Sequence, residues 1–452
     1  MAEISIIIPV LNSIDYIDEC IKSVVDQTFD DIEIIVVDAG STDGTLDVLQ
    51  KYCDMDNRVQ IIRSDRKSMG YQYNLGIAKS QGKYIGFVES DDYVSQTMFE
   101  TLYSEITEKN VEYVKSDFYN FIDAKERVTT YYNVTGSVSH DLYGKVINPH
   151  DYPNIVSYDM NMWNGLYSKN FIVSNGIKLN ETPKASFQDM GFVLQTLLFA
   201  KRALYIQTDS YYYRRDNTGA STYSPNTIEF VLWEFAFMLD KMKENINSVI
   251  GVRILERFIN LFGGYYGRLL VEGKSNTENS IERIREEFND ILTKWMGDLD
   301  PFYISYIRKS ARLDIEMLKD DPEFYSQYRI KDSVISRKMS DLMYVALQYE
   351  EVVIFGAGKY GEYAYGTLKA NGYSGKICFC DNAQEKWGKQ YMDADIVSPE
   401  EAAKKHGKAF YMIANAKHAE EIYQQLRSLG ICGKRITRVH GINAFSALAK
   451  RS

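Results

Sequence analysis

Apolar residues recur in two rhythms along the chain. Short, mostly apolar runs stand at residues 4–8, 32–37, 59–62 and 84–88, with the length and composition of buried strands. Between the first two the apolar positions spread out. Ile14, Ile17, Ile21, Val24 and Val25 share one helical face, with Asn12 or Ser13 as the expected cap. Strand, helix, strand in succession predicts a parallel sheet whose ligand crevice lies outside the carboxyl ends of its strands. From residue 228 to 348 only the helical rhythm persists. Ile228, Val231, Leu232, Phe235, Leu239 and Met242 share one face, and Ile281, Ile284, Phe288, Leu292 and Trp295 another, with no legible chemistry. Alternation returns at Glu351. The expected division is residues 1–225, a helical region 226–348, and a smaller α/β domain 349–452.

Composition narrows the function classes. A length of 452 residues suits two or three domains. Fifty-two basic against 62 acidic side chains leave a net charge of −10, which speaks against general nucleic-acid binding, because phosphate neutralisation needs clustered Lys and Arg. No apolar run approaches the ~20 residues of a membrane span, and the N-terminus opens on a strand-like run instead of a signal core, so a cytoplasmic protein is expected. Five scattered cysteines fit a reducing compartment. Thirty-five tyrosines suit both half-buried sheet and surfaces that meet sugars, where a ring packs on C–H groups and its hydroxyl hydrogen-bonds.

Chemistry concentrates at the expected strand ends. Asp38 opens the polar turn Asp38-Ala39-Gly40-Ser41-Thr42-Asp43-Gly44-Thr45, and Glu89-Ser90-Asp91-Asp92 follows the run at 84–88. Such a turn supplies oxygen ligands for a hard cation, since Mg²⁺ or Mn²⁺ takes one or two carboxylates and completes its shell with phosphates and water. His140, His150, His406, His418 and His440 lack metal-ligand spacing, which disfavours zinc. In the last zone an apolar run at 352–355 enters Gly356-Ala357-Gly358-Lys359-Tyr360-Gly361, and a second at 376–380 ends at Asp381. That is a dinucleotide-type fingerprint: Gly356, Gly358 and Gly361 would bring backbone N–H groups to a pyrophosphate and Asp381 would meet a ribose hydroxyl. No proton donor for hydride chemistry accompanies it, so nucleotide binding or assembly is expected there. A non-catalytic nucleotide-binding scaffold or an NAD-dependent sugar oxidoreductase is the alternative.

The segments Ser5-Ile6-Ile7-Ile8-Pro9-Val10-Leu11-Asn12, residues 33–45 and Gly82 through Asp92 together resemble the family 2 glycosyltransferases of the bacterial capsule and lipopolysaccharide type. The resemblance covers residues 1 to about 225. It implies a GT-A domain with a mostly parallel sheet, a UDP-sugar donor, Mn²⁺ or Mg²⁺, inversion at the anomeric carbon, and a saccharide or lipid-linked saccharide acceptor in surface polysaccharide assembly. A lipid-linked acceptor would bring the enzyme peripherally to the inner membrane face, and a homo-oligomer stays open.

Carried over by position, Pro9, Val10, Asn12, Asp38, Glu89, Ser90, Asp91 and Asp92 belong to the donor site, Asp38 meeting the uracil edge and Asp91 the metal. Glu89 stands where the family has its first aspartate. Tyr73 replaces an arginine, whose contact Arg66 or Lys67 would supply. Farther on, Met162-Trp163-Asn164-Gly165 and Ala185-Ser186-Phe187-Gln188-Asp189 resemble the acceptor side, with Asp189 as catalytic base and Trp163 and Gln188 at the acceptor. Arg214 or Arg215, before Asp216-Asn217 and the small-residue loop 218–222, would close over the diphosphate.

Overall fold

The structure, a computed structural model, describes residues 2–123, 127–132, 142–184, 187–215, 217, 227–242, 245–272, 278–330, 346, 349–370, 373–415 and 418–438. Ala185, Ser186, Asp216, the loop 218–222, His140, His440 and the expected boundary at 225/226 lie outside the described residues. The chain divides into two compact units, one formed by Met1–Tyr266 with Lys274–Asp320 and the other by Gly267–Gly273 with Asp321–Ser452.

In the first unit β1 (Ile4–Val10), β2 (Ile32–Asp38), β3 (Val59–Arg63) and β4 (Tyr84–Phe87) are parallel in the order β3-β2-β1-β4. The apolar run of β1, broken only by Ser5, reflects its central place: all seven of its residues are buried between β2 and β4. Helices α1 (Ile17–Val25), α2 (Thr45–Met55) and α3 (Met69–Lys79) join these strands. Crossover direction reverses after β3, so right-handed connections put α3 on the face opposite α1 and α2 and leave a switch point between β1 and β4.

Beyond β4 the sheet turns mixed. It adds β5 (Tyr93–Val94), α4 (Met98–Lys109), β6 (Tyr113–Asp123), β7 (Arg127–Tyr132), β8 (Gly165–Ser168), α5 (Lys169–Ser174), α6 (Gln188–Phe199) and β9 (Ala203–Arg214). Strand β8 pairs antiparallel with β4 and β6, and β9 pairs parallel with β6 and antiparallel with β5. The β5–β9 pairing places Tyr93 opposite Tyr212, which ties the acidic turn after β4 to the end of β9.

The expected helix cap is corrected. Helix α1 starts at Ile17 with Tyr16 as an N-cap that makes no side-chain bond, whereas Asn12, at φ +53°, and Ser13 lie ahead of it. Their groups join strand-end loops instead: Asn12 Oδ1 accepts from Thr42 N at 2.9 Å, and Ser13 N donates to Thr45 Oγ1 at 2.9 Å.

Apart from Gly267–Gly273, the helical stretch groups with this unit through Asp320. It comprises α7 (Thr227–Met242), α8 (Val249–Glu272), α9 (Glu278–Asp298), α10 (Pro301–Ile304) and α11 (Lys309–Asp320). The apolar face expected for α7 is buried throughout, and Phe235 stacks on Phe258 of α8 at 4.7 Å between ring centroids.

The second unit holds β10 (Glu351–Phe355), α12 (Lys359–Ala370), β11 (Lys376–Cys380), β12 (Gln390–Tyr391), β13 (Ala394–Val397), α13 (Pro399–Lys405), β14 (Phe410–Ile413), α14 (Ala419–Ser428) and β15 (Ile436–Arg438). Its order is β12-β13-β11-β10-β14-β15, parallel except for β12 on β13.

Candidate active site

Because β1, β2 and β4 run parallel, their carboxyl ends open on one edge, with Val10 beside Asp38 and Phe87 beside Ile7. Across the switch point Ser13 Oγ meets Ser90 Oγ at 2.8 Å, joining the loops after β1 and β4. Pro9 and Val10 are buried beneath this edge, and Gln72 of α3 donates to the carbonyls of Val10 (3.0 Å) and Val37 (2.6 Å), locking the two strand ends together.

One carboxylate oxygen each from Glu89, Asp91 and Asp92 lies within 4.8 Å of the others. Burial pushes the Glu89 carboxyl well above the usual range, with the charges of Asp91 and then Asp189 adding to it. Asp92 is pushed up likewise, by burial first and then by Asp91 and Glu89, against the Arg214 amide and the Tyr211 hydroxyl. Hard oxygen donors crowded until they repel one another are a donor set that fits Mg²⁺ or Mn²⁺. The three are not equivalent. Both oxygens of Asp92 are engaged inside the protein, by Tyr211 Oη at 2.7 Å and Arg214 N at 2.7 Å, and its residue exposure is 1%. Asp91 and Glu89 are half-buried, and Asp91 Oδ2 accepts from Asn217 Nδ2 at 2.7 Å.

Asp189 sits in the first turn of α6, half-buried. Burial raises its carboxyl, opposed by the Met190 amide, its own amide and the cations Arg257 and Lys115. Its charge acts on Glu89, so the expected base and the acidic turn share one electrostatic site.

Several expected contacts turn out otherwise. Trp163, 2% exposed, stacks on Tyr211 at 4.2 Å and on Tyr213 at 5.0 Å, which makes it a support behind β9 and not a ring open to an acceptor. Gln188 is fully buried and donates to Thr182 Oγ1 at 2.9 Å, anchoring the chain before α6. Asp38, also fully buried, accepts from the amides of Gly40 (3.0 Å) and Ser41 (3.1 Å) and from Arg63 Nη1 (3.1 Å), so it shapes its own turn. Arg214 is 6% exposed and bridges Asp123 (2.6 Å), Glu19 (3.0 Å) and the Asp91 carbonyl (2.8 Å), bracing the acidic turn. Arg215 alone of the arginine pair is exposed. Arg66 pairs with Glu181 at 3.1 Å.

Two charged groups of the helical stretch reach this site, which its sequence does not announce. Arg257 of α8, 8% exposed, donates to the Val156 carbonyl at 2.8 Å and acts on Asp189. Glu234 of α7, 1% exposed, accepts from Asn180 Nδ2 at 3.1 Å and lies so close to α6 that a Cβ on Gly191 would stand 1.6 Å from its Oε1. Glu234 stands as a lone charge between Leu232-Trp233 and Phe235-Ala236, which is a signal, whereas Arg257 directly follows Glu256 and carries none.

Burial pushes the Glu234 carboxyl up to about 8, Asn180 opposing and Asp189 adding. Below about pH 4.5 it is protonated in folded and unfolded chains alike. Between there and pH 8 only the unfolded chain ionises, so this stability is lost as pH rises through the window. Glu234→Gln should flatten the loss by at most about 1.4 kcal/mol per pH unit. Urea unfolding of both proteins at pH 5 and 8 checks it, and parallel pH dependences would refute it.

In the second unit the glycine turn follows β10, with Gly356 at φ +117° and a Cβ on Gly361 placed 2.0 Å from the Gly356 carbonyl oxygen. Nothing crowds Gly358. Asp381 Oδ2 accepts from the Ala357 amide at 2.8 Å and from Lys386 Nζ at 2.8 Å, so the acid expected at a ribose clasps the turn expected at a pyrophosphate.

Comparison with known proteins bears on both units. Residues 5–163 match the family model Glycosyl transferase family 2, and residues 348–437 match one described as C2185-like, N-terminal. The glycosyltransferase GlyG of Streptococcus pneumoniae is 37% identical over 134 residues, 29% of this chain and 44% of that protein. The cholesterol galactosyltransferase of Borreliella burgdorferi is 29% identical over 218 residues, 47% of this chain and 59% of that one. The chain thus spans less than two thirds of either curated relative. In fold it resembles S. aureus TarS 1-349, solved in complex with UDP-GlcNAc, at a TM-score of 0.58 and 17% identity over 75% of this chain and 92% of that one. Strand-end motifs, acidic turn and GT-A-type sheet agree with these matches, and residues 5–163 resemble glycosyl transferase family 2.

Proposed function

We propose that the first unit is an inverting glycosyltransferase that moves a sugar from a UDP-sugar to a saccharide or lipid-linked saccharide acceptor in bacterial surface polysaccharide assembly. The observation that carries this reading is Asp189 at the start of α6, acting electrostatically on a three-carboxylate turn at the switch point of the sheet. The TarS likeness supports the fold and the curated relatives support the transfer of sugars.

In this reading Asp91 and Glu89 hold Mg²⁺ or Mn²⁺, which supplies positive charge to the departing diphosphate. Asp92 and Arg214 keep the turn in place, and Arg215 meets the diphosphate from the exposed end of β9. Asp189 takes the proton of the acceptor hydroxyl as its oxygen bonds to the anomeric carbon. The bond from that carbon to the diphosphate oxygen breaks, its electron pair leaving with UDP. A single displacement of this kind inverts the anomeric centre. A carboxyl raised by burial is the stronger base, and Arg257 and Lys115 oppose the rise.

The second unit is proposed as a nucleotide-binding or assembly domain, with Gly356, Gly358, Gly361 and Asp381 as its ligand turn. Among the described residues no helix is long and apolar enough to cross a membrane. In this reading a lipid-linked acceptor is reached peripherally from the cytoplasmic side. Incubation with a panel of UDP-sugars, with Mn²⁺ or with chelator, tests the whole reading. Metal-dependent release of UDP is expected, and UDP release indifferent to chelator would refute the metal's part.

A further inference from the structure

Tyr73 lies in the second turn of α3 and is fully buried, yet its hydroxyl finds no hydrogen-bond partner among the described residues. A buried donor left unpaired is destabilising, so its retention calls for a partner that arrives from outside. Its surroundings are specific. The Tyr73 ring meets Phe87 edge to face at 5.2 Å, and Phe87 in turn meets Phe192 at 5.4 Å. Phe87 ends β4 just before Glu89, and Phe192 lies one turn beyond Asp189 on α6. The first turn of α3 touches the same place, since a Cβ on Gly70 would stand 3.4 Å from Gln188 Cγ. Burial raises the phenol far above its ordinary value, and the charges of Glu89, Asp189, Asp92 and Asp91 add to this in that order.

We propose that the Tyr73 hydroxyl reads a substrate hydroxyl, donating a hydrogen bond to a sugar oxygen lodged between Glu89 and Asp189. The inference rests on the transferase reading above. Carboxylates on both sides select the ligand's chemistry. A sugar hydroxyl suits them, since it gives its own proton to one carboxylate and accepts from the phenol at the same time. Tyrosine does here what the arginine expected at this position could not do without adding a buried charge to an internally bonded pocket.

Tyr73→Phe removes the one oxygen and keeps the ring. With the full chain, Mn²⁺ and a donor that the unmodified protein turns over, kcat/KM should fall about 10-fold to 100-fold, while the Tm stays level or rises. Among deoxy analogues of donor and acceptor, one should lower kcat/KM of the unmodified protein by that factor and lower the variant's no further. The result that overturns the proposal is a variant with kcat/KM within about twofold of the parent, or one whose activity falls only together with its Tm. Should the variant not fold, the analogues still decide, because a parent protein indifferent to the loss of every hydroxyl refutes the contact. A parent that releases no UDP from any donor refutes the transferase reading itself, and the inference with it.

Discussion

Asp189→Asn should lower turnover by about 10²–10⁴-fold, the range a positioned general base contributes, while UDP binding in the presence of Mn²⁺ stays unchanged. Asparagine keeps the volume of the aspartate and its place in the first turn of α6 but cannot accept the acceptor's proton. The side chain is half-buried and has no ion pair to lose among the described residues, so the Tm should hardly move. The parent protein offers a second readout. Since burial raises the Asp189 carboxyl, the acid limb of kcat/KM against pH should fall above the ordinary carboxylate range, and this limb should vanish in the variant's residual activity. Steady-state kinetics from pH 5 to 9, with isothermal titration of UDP, measure both. Near-normal turnover of the Asn variant would mean that another group takes the proton.

Asp91→Ala should weaken Mn²⁺-dependent UDP binding by about 100-fold or more, because even groups one layer removed from a metal are worth 10–100-fold in its affinity. UDP binding in chelator should not change. The neighbouring acid gives the contrast. Asp92→Ala would strand the Tyr211 hydroxyl and the Arg214 amide in the interior, at about 1–3 kcal/mol for each unpaired group, so it should act first on stability. Titration calorimetry of UDP with and without metal, beside thermal unfolding of both variants, separates the roles. If Asp92→Ala lost the metal at an unchanged Tm and Asp91→Ala did not, the assignment of ligand and brace would be reversed.

The first four strands were legible almost residue for residue, since strands covered on both faces are dominated by apolar residues and β1, β2 and β4 are so covered at nearly every position. The strand-end acids were legible for a related reason: charge that directly follows such a run sits where the sheet stops covering it. The helix start was not, because Asn12 and Ser13 have the chemistry of a cap and equally that of a loop tether, and neighbouring loops took them. Arg214 and Arg215 show the same limit. Both carry one charge, and only the approach of Glu19, Asp123 and the Asp91 carbonyl makes the first a strut while the second stays exposed.

Local pattern therefore settled where this chain would be sheet and helix and which edge would gather its carboxylates, as period and apolar content are properties of neighbouring residues. The roles of Asp92, Trp163, Gln188, Tyr73, Glu234 and Arg257 were settled by partners as much as 122 positions away along the chain, as for Asp92 and Arg214. Burial and hydrogen bonding are properties of the packed neighbourhood, and no window of sequence contains it.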